Sequence, residues 1–427
     1  MKYSTCKTLL VSALLGLAGG NAAAQQCQQW QRVNTPSPGT VSNFFIDAEE
    51  ANGTVYALMF STDSTQVRPP GEYRVLRRDG DTWTDLSGPD DEVLSNTEFN
   101  ALGVAPDGET IYVGGLYFPT AVGQDPAPVM AVGDAGGNWG VPVEIEIPPT
   151  AVEPVSRRAA QILSIEVAAN GTAFATGGAQ GFGGGALGID GTVPLFLVND
   201  GSGWVETGVE PGQDWPGGSG IGGPGTRLND MHLFATDDVW LAGRHDDNGT
   251  TGGGLLLHWD GTELTVEEDP RQGGVFLLRD FFGIDGNAPT ALHAVGGNDI
   301  EQQPVGTMAL RDIDGWSLLS TPWLTSVVED LATASDVVVA ADGTAWASTL
   351  FGASETPYYD GTQWSLRPFV PAGDAANGAS VRRMAEATGT GTLWGFGFLN
   401  PDLGARESYA IQCSGVIFAD GFEPSQP

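Results

Sequence analysis

The strongest restriction on this 427-residue chain is a strand-sized segment that recurs seven times. Each copy is apolar with an aromatic or histidine near its centre. They are Tyr56 in TVYALMF, Tyr112 in TIYVGG, Phe174 in TAFATGG, Trp240 in DVWLAGR, His293 in ALHAVGG, Trp346 in TAWAST and Trp394 in TLWGFGF. Ahead of most stands a pair such as Asn52-Gly53, Asp107-Gly108, Asn170-Gly171 or Asp342-Gly343. These residues tolerate the positive φ of a tight hairpin turn. A second hairpin follows, and its outer strand carries Trp83, Trp139, Trp204, Trp316 or Trp364, with Leu264 in that place once. The module is therefore four short antiparallel strands, labelled A to D, in roughly 50–65 residues.

Seven such units fit one all-β architecture, a seven-bladed β-propeller of four-stranded antiparallel blades. An open row of blades would leave two exposed edges, which invite aggregation. The seventh copy lacks a Trp strand after SYAIQC, and CQQWQRV, with Trp30, supplies one from the other end of the chain. The N-terminal strand is thus expected to complete the last blade and close the ring. The same alignment brings Cys27 beside Cys413, at the end of the third strand of blade seven, and predicts a disulfide between them. Two sandwich domains are the competing architecture. They require a composition break midway, and the module runs through that region instead.

Residues 1–24 read as a secretory signal: Lys2 and Lys7, an apolar run from Leu9 to Leu17, then Ala22-Ala23-Ala24 as the cleavage site. The expected layout is signal peptide 1–24, propeller 25–415 and C-terminal tail 416–427. A secreted or periplasmic location follows, where a lone pair of distant cysteines pairs readily. No other apolar stretch approaches the ~18 residues of a spanning helix. Acidic residues number 53 against 18 Lys and Arg, for a net charge of −35, and no lysine lies beyond the signal. Such a surface repels phosphate backbones and anionic lipid, which excludes nucleic acid and membrane surfaces as partners. A monomer without a cofactor is expected, its partner an unidentified protein or carbohydrate.

The A–B and C–D connections are short. The B–C connections (61–71, 117–127, 178–192, 244–254, 297–306) and D–A connections (87–98, 145–159, 208–227, 267–276) are long. In an up-and-down sheet both long kinds emerge on one side, and loops on a rigid scaffold are where binding concentrates. The candidates on that face are Tyr117, Phe118, Asp214, Trp215, Arg244, His245, Asp246, Trp323 and Phe369. The first residues of the A strands, Asn43, Asn100, Gln161, Asp230, Asp280, Asp330 and Arg383, are expected at the channel mouth. They serve either as strand-start hydrogen-bonding groups or as a polar funnel. The expected function is non-catalytic binding of a ligand or protein through this face. The alternative is a propeller glycoside hydrolase or polysaccharide lyase with acid/base carboxylates such as Asp230 and Asp280. A cell-surface assembly module is a third.

Other motifs narrow the chemistry. His232, His258 and His293 sit in strands and read as structural. The sequence has no HExxH and no CxxC, so a zinc site has no support. The GxGxxG matches at Gly183 and Gly220 lack the strand before and helix after that dinucleotide binding needs. Asp246 and Asn248 are weak calcium candidates, as are Asp312 and Asp314, against the reading that such Asp-Gly stretches are hairpin turns. Asp134-x-Gly136-x-Asn138-Trp139, with Val132 ahead of it, resembles the Asp-box repeat of sialidase-type β-propellers, whose pattern is Ser/Thr-x-Asp-x-Gly-x-Thr-Trp. The blades as a whole resemble secreted bacterial propellers with Trp-bearing outer strands. That resemblance implies the fold. A sialidase-like site would also need clustered arginines, for which Arg279, Arg382 and Arg383 are the nearest residues. The tail from Val416 to Glu423 resembles short C-terminal tails of other secreted bacterial proteins.

Overall fold

In a computed structural model, residues 30–64, 71–89, 96–118, 126–146, 160–179, 194–207, 227–245, 253–268, 280–297, 306–319, 333–349, 355–375, 377–387, 391–402 and 405–413 are described. They form a succession of four-stranded antiparallel sheets and one short helix, Ala372–Ala375. The A strands are Ser42–Ala51, Thr97–Val104, Ala160–Val167, Arg227–Ala235, Asp280–Ala288, Ala334–Val339 and Ser380–Ala387. Each pairs with a B strand that carries the repeated aromatic or histidine. The turn residues behave as the hairpin reading requires: Asn52 and Gly53 have φ of 54° and 77°.

The third strand of the last sheet, Ala405–Cys413, has the N-terminal strand Gln31–Val33 as its antiparallel neighbour, with Gln31 opposite Gln412 and Val33 opposite Ala410. One parallel bridge, Ser42 to Arg406, joins this sheet to the first, so the combined sheet is mixed. Cys413 is buried at the strand end. Cys27, the signal segment and the tail lie outside the described residues.

The core is made between sheets. The D-strand Trp of one sheet packs on the B-strand aromatic of the sheet before it. Trp204 meets Tyr112 at 6.0 Å, Trp316 meets Trp240 at 6.3 Å, and Trp364 meets His293 at 5.6 Å. Trp83 of the first sheet meets Trp394 of the last at 6.1 Å, and Trp30 meets Trp346 at 5.5 Å. Phe174 and Leu264 share one apolar cluster, as do Tyr56 and Trp139. Edge-to-face ring pairs of this kind add roughly 0.5–1.5 kcal/mol beyond the area they bury. The periodic aromatics are thus the contacts between blades. Phe369, expected as a solvent-facing contact residue, belongs to this core: it is buried and lies 4.7 Å from Trp30. An apolar ring beside two tryptophans is worth more there than in water.

Candidate functional site

Every A strand carries a bulge at the same level. The pairing slips between Phe45 and Asp47, Phe99 and Ala101, Ile162 and Ser164, Leu228 and Asp230, Phe281 and Gly283, Ala334 and Asp336, and Val381 and Arg383. A bulge twists the strand and re-aims the side chains that follow. Here the residues after it, Asp47, Ser164, Asp230, Asp336 and Arg383, line one central cavity of ≈ 320 Å³. Glu49, Glu50, Glu166, His232, Asp285 and Glu386 line it further along the strands. The lining therefore lies in the half of six of the seven A strands, all but Thr97–Val104, that leads to the short A–B turn.

Five glycines record the bulge on the neighbouring strand. Gly115, Gly177, Gly243, Gly296 and Gly397 each stand three residues after the B-strand aromatic or histidine. A Cβ on any of them would collide with the A-strand carbonyl just ahead of the bulge, from Glu98, Gln161, Arg227, Asp280 or Ser380.

The first tier of the cavity links one sheet to the next. Asp47 accepts the Leu102 amide at 2.8 Å, Asp230 the Ile284 amide at 2.9 Å, and Asp336 the Met384 amide at 2.7 Å. Arg383 Nε donates to Asp47 at 3.1 Å. In the second tier Asp285 accepts the Val339 amide at 2.6 Å and meets His232 Nδ1 at 2.8 Å. These contacts hold the carboxylates in place, and only Arg383 and His232 among them bring positive charge. Eight acidic residues line the cavity, against Arg383 and His232.

The charge imbalance shows in the acidities. Burial, reinforced by Asp230 and only partly countered by His232, pushes Glu166 up to about 8. Burial raises Glu386 to about 7 and Asp230 to about 6. Burial also holds Glu49 and Asp336 well above the usual carboxylate range, and Asp47 above it. Burial works against charge on His232 and Arg383 as well, yet the surrounding carboxylates outweigh it and raise both. Several carboxyls in this space thus exchange protons around neutral pH, where a bound cation would hold them ionised.

Of the expected mouth residues, Asp230 and Arg383 are in the cavity. Asp280 is not: it is buried and takes an ion pair from Arg244 at 3.1 Å. It lies at the start of its strand, ahead of the bulge, so its carboxylate is committed to Arg244. Asn43 bonds the backbone of Gly39 through both its oxygen and its amide, and Gln161 is buried. Tyr117 is half-buried against the apolar cluster around Phe99, and Phe118 is half-buried beside it. Trp215, Asp246, Asn248, Trp323, Asp214, Asp330 and Arg279 lie outside the described residues, as does the side chain of His245. Asp312 accepts the Asp314 amide at 2.8 Å within a turn, as the hairpin reading expects. Asp134 likewise accepts the amides of Gly136 and Asn138. His293 is buried, with burial holding its pKa down to about 4, and His258 bonds Asp238 at 2.8 Å. His232, read from sequence with these two, is instead part of the cavity.

The acidic lining residues the sequence reading missed are Asp47, Glu49, Glu50, Glu166, Asp285, Asp336 and Glu386. For Glu166, Asp285 and Glu386 the signal was the glycine three residues after the B-strand aromatic or histidine, which marks the bulge and so the register of the A strand; Met59 and Thr349 hold that place in the blades of Asp47 and Asp336. Aligning A strands on their first residue instead put the inward position one or more residues too early.

No protein-family model matches the chain, and no curated protein matches it. Among solved structures it is similar to the sialidase of Trypanosoma rangeli in complex with the inhibitor DANA. The identity is 13% and the TM-score 0.51, over 91% of this chain and 60% of that one. It is also similar to PorZ, a bacterial surface component of the type-IX secretion system of Porphyromonas gingivalis. That match has 14% identity and a TM-score of 0.54, over 92% of this chain and 49% of the other. The chain thus spans between half and three fifths of these proteins. At such identities the likeness carries the fold alone: the chain is built as a β-propeller.

Proposed function

We propose that the protein is an exported, non-catalytic binding propeller of seven blades, closed by its N-terminal strand, that takes a small organic cation into its axial channel. The observation that carries the ligand class is the uncompensated carboxylate lining of the cavity, with pKa values lifted into the neutral range. An amine entering that space relieves repulsion that Arg383 and His232 relieve only in part. An organic cation is favoured over a caged metal because the carboxylates are spread round the wall. Among the described residues no three His, Cys, Asp or Glu converge as metal ligands would. The glycosidase alternative loses ground here, since the lining contains no Trp, Tyr or Phe to seat a sugar ring. The lining also holds a single arginine, Arg383, where a sialidase-like site would need several.

Closure of the ring is supported by the pairing of Gln31–Val33 with the last sheet and by the Trp83–Trp394 and Trp30–Trp346 contacts. Trp83 Nε1 also donates to Asn34 O at 3.0 Å. A Cys27–Cys413 clasp is part of the proposal: Cys413 is buried at the end of the strand that pairs with Gln31–Val33. Export rests on the features of residues 1–24. No helix among the described residues is long and apolar enough to cross a membrane.

The test is calorimetric titration of spermidine into the wild-type protein and into a Glu166→Gln/Asp230→Asn double variant. Asn can still accept the Ile284 amide, so the first-tier link is retained. Binding at least tenfold weaker in the variant is expected. Equal binding by a folded variant, or calcium binding at the same residues in place of spermidine, would contradict the reading.

A further inference from the structure

A second charged cluster sits at the opposite end of the A strands, where the first and last sheets meet at Ser42 and Arg406. It has the opposite sign. Arg406 lies over the ring of Phe398 at 4.6 Å and over that of Phe44 at 5.3 Å. Arg382 lies over the same Phe398 ring at 5.0 Å. Phe44 and Phe398 meet edge to face at 6.5 Å. Both guanidiniums therefore contact one aromatic ring, Phe398, and the charge of Arg406 acts on Arg382.

Neither arginine has a carboxylate within ion-pairing distance among the described residues. Arg32, Arg74, Arg77, Arg244 and Arg383 each have one. The Nε of Arg382 is buried and donates to nothing. The charges acting on it are those of Arg406 and Arg383, which together with burial push its pKa down. A partly desolvated guanidinium beside two others is costly unless an anion joins it. The planar fork of an arginine matches a carboxylate with two parallel hydrogen bonds. The apolar ring beneath excludes water from one side of that contact.

We propose that Arg382 and Arg406, above Phe398, form a binding site for the carboxylate of a small anionic ligand. The site is separate from the acidic cavity, where Arg383 faces inward. Its ligand completes the charge of a pair that has no acid within ion-pairing distance among the described residues. The proposal stands whether or not an organic cation binds in the channel.

The test is calorimetric titration with succinate at low chloride, on the wild-type protein and on Arg382→Gln and Arg406→Gln. Arg406 is exposed, so its variant keeps the fold even if the other does not. Arg367→Gln, where the guanidinium lies over Tyr358 at 5.6 Å, is the control. Saturable binding is expected for the wild type and the control, at least tenfold weaker in Arg406→Gln and in Arg382→Gln. Inorganic phosphate is expected to bind at least fivefold more weakly than succinate. No saturable binding of succinate would overturn the proposal. So would unchanged affinity in a folded Arg406→Gln, or a preference for phosphate.

Discussion

Asp336 illustrates how single residues hold a repulsive channel together. One of its oxygens accepts the Val337 amide at 2.9 Å and the other the Met384 amide at 2.7 Å, so the side chain cannot turn away from its neighbours. Burial and the nearby carboxylates still lift its pKa well above the usual range. Glu166 and Glu386 are lifted to about 8 and about 7 from an ordinary 4.5. A carboxyl whose folded pKa is raised keeps a proton that the unfolded chain releases. The stability it contributes is complete below about pH 4.5 and is lost as pH rises through about 8. The ligand-free protein is therefore expected to unfold at lower urea concentration at pH 8 than at pH 5. A midpoint that climbs over that interval would contradict the cavity electrostatics.

At the scale of the strand, the bulge decides what faces the axis. Gly296 makes the point. It pairs with Phe281 across the ladder, and the Asp280 carbonyl occupies the space where its Cβ would be. Gly296→Ala should destabilise the protein by about 1–3 kcal/mol, because the bulge must shift to admit a methyl group. Urea unfolding measures this, and a loss below about 0.5 kcal/mol, the usual scatter of surface changes, would show the bulge to be slack. The blades themselves were legible in the sequence. Seven aromatic-centred segments and the Trp strands after them map onto B and D strands because hairpin turns and β-rich apolar runs are local signals, except that Trp139 forms an isolated bridge with Gly133 ahead of the D strand Val143–Glu144. The partner of each Trp was not legible, since it lies one blade back in the chain. Nor was the inward-facing set of carboxylates, because a bulge breaks the two-residue alternation on which such reading depends. Phe369 failed for a related reason: a residue after a strand can fold back under the next blade.

At the scale of the whole molecule, the proposed closure and the cavity's charge are linked. Arg383 in the last A strand pairs with Asp47 in the first, where the last and first sheets meet. Opening that seam would remove the cavity's one arginine from Asp47. Cys413→Ser should cost about 2–4 kcal/mol, read from chemical denaturation of the oxidised wild type and the variant. A non-reducing peptide map should recover Cys27 joined to Cys413, and free thiols at both positions would refute the clasp. The far-apart cysteines suggested this pairing in the sequence, whereas the acidic half of the cavity did not announce itself at all.

The most direct measurement is a pH series of spermidine titrations by calorimetry between pH 5 and pH 8. The account predicts saturable, one-site binding at pH 8 that weakens at least tenfold by pH 5, as Asp230, Glu386 and Glu166 take up protons. Proton release on binding near pH 7 should accompany it. Binding that is indifferent to pH, or tighter at pH 5, would contradict the claim that the axial carboxylates are the site.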